Sequence, residues 1–325
     1  MTYAPTRRQF CLALGALALP GIGRAQSNWP DKPIQIISPA PPGGSSDRMA
    51  RMLGMGLAKE LKQSAIVENK PGAGSTIGTG FVAHANPDGC TLILSGVFDA
   101  INPSLYSGLN YDYERDFVHL APVFNGSNVL VVRPDFPISN LKELAAAAKA
   151  KPGYYTFASA GSGTSGHLTM EIFKRTAGVN MTHVPYRGSA PAIQDVMSGQ
   201  VSMIATNQDA VLPLVRAGKF KALAITTSQR VPVFADTPTF VESGYPDMVI
   251  TSWTILDAPK GTPDAVVKRL REAAAKVMKD PAMRKPFEDE GNQVFDLPVD
   301  QLGAFVKKET DRWASVIHAA GIKIE

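Results

Sequence analysis

Cysteine is nearly absent: the 325 residues hold two, Cys11 and Cys90. Cys11 falls in a leader, so the remaining chain has one cysteine and no intramolecular disulfide, and packing must hold its core. The five histidines (84, 119, 167, 183 and 318) show no H-E-x-x-H or H-x-H spacing, which excludes the common metal sets. No apolar run approaches the ~20 residues needed to span a bilayer. Basic and acidic residues nearly cancel, at 33 and 29, and three of the arginines stand in the first 25 residues, which hold no acid. There is no basic tail or stripe, which argues against nucleic acid. Also missing are a Gly-x-Ser-x-Gly elbow, the lysine of a phosphate loop, a tandem repeat and a Pro/Gly/Ser-rich linker.

The first 25 residues read as an export signal. Arg7 and Arg8 make a positive n-region, Cys11 to Leu19 an apolar run, and Gly23-Arg24-Ala25 a small-residue cleavage site. Thr6-Arg7-Arg8-Gln9-Phe10 resembles a twin-arginine signal, with general secretion the other route. Cys11 begins the apolar run rather than ending it, so no lipid anchor is expected. Cys90 opens the run Cys90-Thr91-Leu92-Ile93-Leu94 and reads as a buried strand residue.

Beyond the leader, the chain alternates β-rich runs and helical stripes. Ile34–Ser38 reads as a strand, and Met49, Met52, Leu53, Leu57 and Leu61 form a helical stripe after it. Further strands are expected at 66–69, 91–95, 128–132, 154–159, 181–184, 201–205 and 222–226, with 249–256 extended. Helices are expected up to Val82, then over 141–149 (capped by Ser139 or Asn140), 167–176, 190–197, 210–217, 264–278 and 299–318. Such β-loop-α units mean an α/β fold with parallel or mixed sheets. At this length two domains are expected, and without a linker the chain must cross between them. The candidate crossings are Leu120–Val131 and Val249–Leu256.

Three glycine-rich loops come after strands and open helices: Pro39–Asp47, Pro71–Thr76 and Gly161–Gly166. In open α/β sheets ligands sit beyond the carboxyl ends of strands. Helix starts offer unpaired N–H groups and a favourable dipole to anions, and glycine admits close approach. The chemistry read from these loops is capture of a small anion by neutral donors. Gly161-x-Gly163-x-x-Gly166 matches the dinucleotide fingerprint in part, but the next strand ends in Pro185-Tyr186-Arg187 without the required acid. Ser165 and His167 are two apart, which makes no nucleophile-base pair, and His167 reads as a donor or a packed ring at the helix start. Asp47 reads as a helix cap or the partner of Arg51. Trp253 and Phe98 either line a pocket or pack in the core, and Phe98 is kept as a ligand-binding candidate.

Several blocks together resemble the Bug family, the extracytoplasmic receptors of tripartite tricarboxylate transporters. They are Ser38–Asp47 with Arg51, Val67–Gly74, Ala85–Leu92, Ala100–Tyr106, Gly161–Leu168, His183–Ser189 and Ala258–Pro263, in order along the chain after the leader. The resemblance implies a periplasmic-binding-protein-like fold, two α/β lobes with mixed sheets joined by two crossing segments. Lobe 1 is expected over 26–125 plus 253–325, lobe 2 over 126–252. It implies a monomeric periplasmic receptor, not an enzyme, that closes on a small carboxylate and docks on transporter subunits or a sensor kinase. No cofactor, metal or catalytic residue is expected; an exported enzyme of small acids is the competing class. Carried over as ligand-binding are Gly43, Gly44 and Ser45, then Gly74, Ser75 and Thr76, then Ser162, Gly163, Thr164 and Ser165. Ser75 stands where the family often has glycine. The polar stretch Thr206–Asp209 adds Asn207 and Asp209, which either read the far end of the ligand or, for Asp209, point to solvent.

Overall fold

The computed structural model describes residues 29–322. The export signal and Cys11 lie outside them. Ten strands form one curled mixed sheet in the order β2-β1-β3-β9-β4-β7-β5-β6, with β10 and β8 also paired to β4. The strands are β1 (Ile34–Ser38), β2 (Ala65–Asn69), β3 (Thr91–Gly96), β4 (Phe117–Val132) and β5 (Thr156–Ser159). They continue as β6 (Thr182–Pro185), β7 (Met203–Asn207), β8 (Lys221–Ile225), β9 (Thr251–Pro259) and β10 (Gln293–Val294). The helices are α1 (Ser45–Leu61), α2 (Thr76–Ala83), α3 (Val97–Leu105), α4 (Leu141–Ala150) and α5 (Ser165–Ala177). They end with α6 (Ser189–Ser198), α7 (Gln208–Arg216), α8 (Asp264–Lys279), α9 (Pro281–Glu288) and α10 (Leu302–Ala320).

The sheet has two parallel cores, β2-β1-β3 and β6-β5-β7, joined through antiparallel strands. β4 belongs to both halves. Its Phe117–Ser127 stretch pairs with β9, and its Asn128–Val132 stretch pairs with β7 and β8. The chain returns between β8 and β9, where Ile250 N–H donates to Thr226 O. Each half is covered on both faces, because its strands carry apolar residues on both sides. α1, α8 and α9 cover one face of the first half around Leu53, Leu92, Leu256 and Leu270. α2, α3 and α10 cover the other around Ile37, Ile101, Ile255 and Trp313. In the second half, α4 and α5 pack over Phe157 and Met203, and α6 and α7 over Val131 and Ile204.

Local chemistry explains most boundaries. The Met49, Met52, Leu53, Leu57 and Leu61 stripe is buried as expected. Asn140 caps α4, accepting from Glu143 N–H at 2.9 Å. Cys90 is buried, and burial pushes its thiol up, as befits an inert packed residue.

Four elements depart from the sequence reading. The fourth strand is 16 residues long, not 128–132 alone. Pro122, Asn125 and Gly126 obscure its β pattern, and the register shifts on β9 there. α3 is a helix with no counterpart in the sequence reading, since Pro103 stands inside it. α9 and β10 have none either: α9 carries Pro286 within eight residues, and β10 is two residues long.

Candidate functional site

The carboxyl ends of β1, β2, β3, β5, β6 and β7 face one cleft of about 890 Å³. The turn after each strand opens a helix, and six helix starts line the cleft. They contribute Gly44 and Ser45 (α1), Gly74 and Ser75 (before α2), Val97 and Phe98 (α3), Thr164 and Ser165 (α5), Ser189 (α6) and Asn207 (α7). The floor is Gly126 and Asn128 from β4, Ser252, Trp253 and Thr254 from β9, and Asn292 beside β10. No carboxylate lines it among the described residues, and its one charged lining side chain is the exposed Arg187. Six positive helix ends without a facing carboxylate make a site for an anion that needs no buried cation.

Each loop is braced from behind. In the first, the Asp47 carboxylate accepts from Gly43 N–H at 2.9 Å, Asn69 Nδ2 at 2.8 Å and Arg51 Nε at 3.1 Å. Burial pushes this carboxyl up, but the bonds from Arg51, Gly43 and Asn69 outweigh it and hold it below the usual range. Of the two readings of Asp47, the pairing with Arg51 is the one seen; the α1 start has no side-chain cap bond, and Asp47 braces the loop at Gly43 instead. In the second loop, Asn102 Nδ2 donates to Gly74 O at 2.9 Å. A Cβ at Gly74 would meet Tyr106 Oη at 2.6 Å, so only glycine fits. Ser75 has φ 79° and ψ −3°, the left-handed region, which accounts for glycine being favoured there.

In the third loop, Thr164 Oγ donates to Gly161 O at 2.7 Å and accepts from His167 N–H at 3.4 Å, while Gly163 N–H donates to His167 Nδ1 at 3.1 Å. Ser165 Oγ donates to Asn128 Oδ1 at 3.2 Å, tying loop to floor. A Cβ on Gly166 would lie 2.1 Å from Ala205 O, so this glycine lets α5 pack on β7. The partial dinucleotide pattern thus has a packing cause.

Of the thirteen ligand-binding candidates, the structure brings nine to the cleft: Gly44, Ser45, Gly74, Ser75, Phe98, Ser162, Thr164, Ser165 and Asn207. It places Gly43, Thr76, Gly163 and Asp209 off the lining. Gly43 and Gly163 spend their N–H groups on Asp47 and His167 behind the loops. Asp209 neither faces the cleft nor points to solvent. It is buried, and its Oδ2 accepts from Arg48 Nη2 at 2.6 Å. Trp253 does both things considered for it: it is fully buried in the core and it borders the cleft floor. The sequence reading missed Tyr106, Asn128, Arg187, Ser189 and Asn292. A signal existed for two of them, since Tyr186-Arg187-Gly188-Ser189 is a fourth strand-loop-helix turn. Asn292 carried none, because β10 brings it in from far along the chain.

A family model described as "Tripartite tricarboxylate transporter family receptor" (TctC) matches residues 49–322. BugT of Bordetella pertussis is 36% identical over 299 residues, 91% of this chain and 92% of BugT. Two solved Rhodopseudomonas palustris structures are similar throughout. MatC with bound malate has a TM-score of 0.83 and 32% identity, covering 89% of this chain and 100% of its own. A second protein, solved with adipate, has a TM-score of 0.86 and 30% identity, covering 91% and 100%. The resemblance drawn from sequence blocks is borne out, and the competing enzyme class finds no support. With its α/β fold and the match along nearly its whole described length, the chain belongs to the TctC (Bug) family of tripartite tricarboxylate transporter receptors, a family of solute-binding proteins rather than enzymes.

Proposed function

We propose that this chain captures a small carboxylate in the cleft between its two sheet halves and closes on it. The observation that carries this reading is the convergence of six helix starts on a cleft that no carboxylate lines among the described residues. Similar proteins solved with malate and with adipate support the ligand class. The ligand-contacting set is Gly44, Ser45, Gly74, Ser75, Phe98, Ser162, Thr164, Ser165 and Asn207. Residues 26–125 plus 253–325 act as one lobe and 126–252 as the other, hinged at β4 and at the return into β9. A ligand touching both lobes favours the closed state through its differential affinity. The chain is exported on its 1–25 signal, cleaved near Ala25, and acts in the periplasm as a monomer. Its closed form docks on transporter subunits or a sensor kinase.

The test is mass spectrometry of small molecules released on unfolding the purified chain, followed by a carboxylate thermal-shift screen. A ligand at 100 times its Kd stabilises by about 2.7 kcal/mol. A released or stabilising carboxylate that is recovered unchanged supports the proposal. No shift with any mono-, di- or tricarboxylate, or turnover of one, refutes it.

A further inference from the structure

Behind the third loop lies a pair of histidines that the binding site does not itself use. His167, near the start of α5, and His183, on β6, stack face to face with centroids 4.0 Å apart and planes 23° apart. Phe157 continues the stack on the His183 ring, with centroids 4.9 Å apart. Both imidazoles are wired to the loop's backbone. His167 Nδ1 takes the Gly163 N–H at 3.1 Å. His183 Nε2 lies 2.7 Å from Ser159 Oγ, which accepts from Gly161 N–H at 3.2 Å and donates to Gly161 O at 3.1 Å, so the imidazole N–H is the donor to Ser159.

The first bond assigns a protonation state by geometry. A backbone N–H can only donate, so His167 Nδ1 must carry a lone pair. A proton there would set N–H against N–H and remove the acceptor. Two protonated rings at 4.0 Å would also repel each other across the stack.

We propose that His167 and His183 are positioning residues that hold the 160–166 wall of the cleft in its binding shape, His167 through an unprotonated Nδ1 and His183 through Ser159 Oγ, so that protonating the pair, which takes the acceptor from His167 and sets two cations face to face, loosens the wall. The inference rests on the receptor reading for what the wall binds, but not for its geometry. The charged groups around the pair fit this role. From α5, Glu171 Oε1 is 3.8 Å from His167 Nε2, and Lys174 Nζ holds Glu171 at 2.8 Å and lies over the Phe157 ring. Glu171 is thus already engaged by a lysine, which weakens its pull on an imidazolium. Burial, then Lys174, pushes His167 down to about 4. Burial, then the His167 ring, pushes His183 down to about 4, with Lys174 acting the same way and Glu171 opposing. The wall therefore keeps one geometry across the neutral range, where an ordinary histidine near 6.5 would titrate.

The test begins without ligand, on the full chain labelled with 15N-glycine. The Gly163 amide resonance is expected to move with a midpoint near pH 4, in step with the imidazole resonances of the pair. His167→Asn, whose side-chain oxygen takes the place of Nδ1, should abolish that step. An amide that stays still while the histidines titrate overturns the proposal. The second arm measures adipate binding by calorimetry at pH 7.5. His167→Phe keeps the stack and loses the acceptor, so its affinity should fall about tenfold, the worth of one hydrogen bond. His167→Asn should stay within about threefold of wild type by the same measure. Equal loss in both variants, or none in the phenylalanine variant, also overturns the proposal. Absence of adipate binding by the wild type moves this arm to whichever carboxylate the thermal-shift screen finds; only failure of the whole screen counts against the receptor reading, and the Gly163 amide decides the positioning role in either case.

Discussion

Removing either partner of the Arg48–Asp209 pair should have very unequal costs. Arg48, on α1 in the first half, reaches Asp209 on α7 in the second. Its Nη2 lies 2.6 Å from Asp209 Oδ2, while Nη1 and Nη2 also hold Glu290 at 2.7 and 2.8 Å. The Asp209 side chain is 1% exposed, those of Arg48 and Glu290 37% and 24%. In Arg48→Met, a fully buried carboxylate loses its cation. Such losses cost about 3–5 kcal/mol. Because Arg48 is more than a third exposed and partly screened, the low end, about 3 kcal/mol, is expected. In Asp209→Asn, Arg48 keeps both bonds to Glu290, so the cost should be about 1 kcal/mol. The pair Arg48→Met with Asp209→Leu should regain most of what Arg48→Met loses.

A pH dependence comes with it. Burial already pushes the Asp209 carboxyl up despite Arg48. Loss of the cation raises it further. A folded-state carboxyl held above its unfolded value gives stability that is complete in acid and lost as pH rises. The penalty of Arg48→Met should therefore be larger at pH 7.5 than at pH 5. The assay is the guanidinium unfolding midpoint of the ligand-free protein at both pH values. Equal costs for the two single variants, or a penalty that shrinks with rising pH, would refute the reasoning.

Three further predictions concern the loops and helix starts around the cleft. Ser75→Gly should raise the thermal midpoint by relieving about 1 kcal/mol of left-handed strain, and lower carboxylate affinity by removing a hydroxyl from the cleft; a melting point that does not rise argues against strain at this residue. Gly166→Ala should destabilise by about 1–3 kcal/mol, because its Cβ would stand 2.1 Å from Ala205 O and force α5 off β7; an unchanged melt would contradict the packing account. Asp99 is buried, and burial pushes its carboxyl up to about 8 although Gly96 N–H and the Thr79 hydroxyl bond to it. Its folded-state value lies above the unfolded one, so its contribution is full in acid and lost as pH rises through about 8. Asp99→Asn should gain on the wild type steadily from pH 5 to pH 9 in urea unfolding, and a parallel pair of pH curves would show that Asp99 does not titrate as placed.

The amino-acid sequence determined the α/β class, most strands and helices, the family and three of the loops that line the cleft. Those features are local: apolar periodicity, a cap such as Asn140, and glycines after strands are read from neighbours in the chain. Nine of the thirteen expected site residues reached the cleft for the same reason, since a loop at the carboxyl end of a parallel strand has little choice of where to face. Tertiary structure decided the rest. Which N–H of a loop points outward depends on distant acceptors, so Gly43 turned to Asp47 and Gly163 to His167. Asp209 turns from both cleft and solvent to Arg48, 161 residues earlier in the chain. Asn292 entered the floor because β10 pairs with β4, and β4 itself became one long strand because β9 lies beside it. Contacts between residues far apart in sequence decide the directions of individual polar groups, and no local pattern of side chains encodes them.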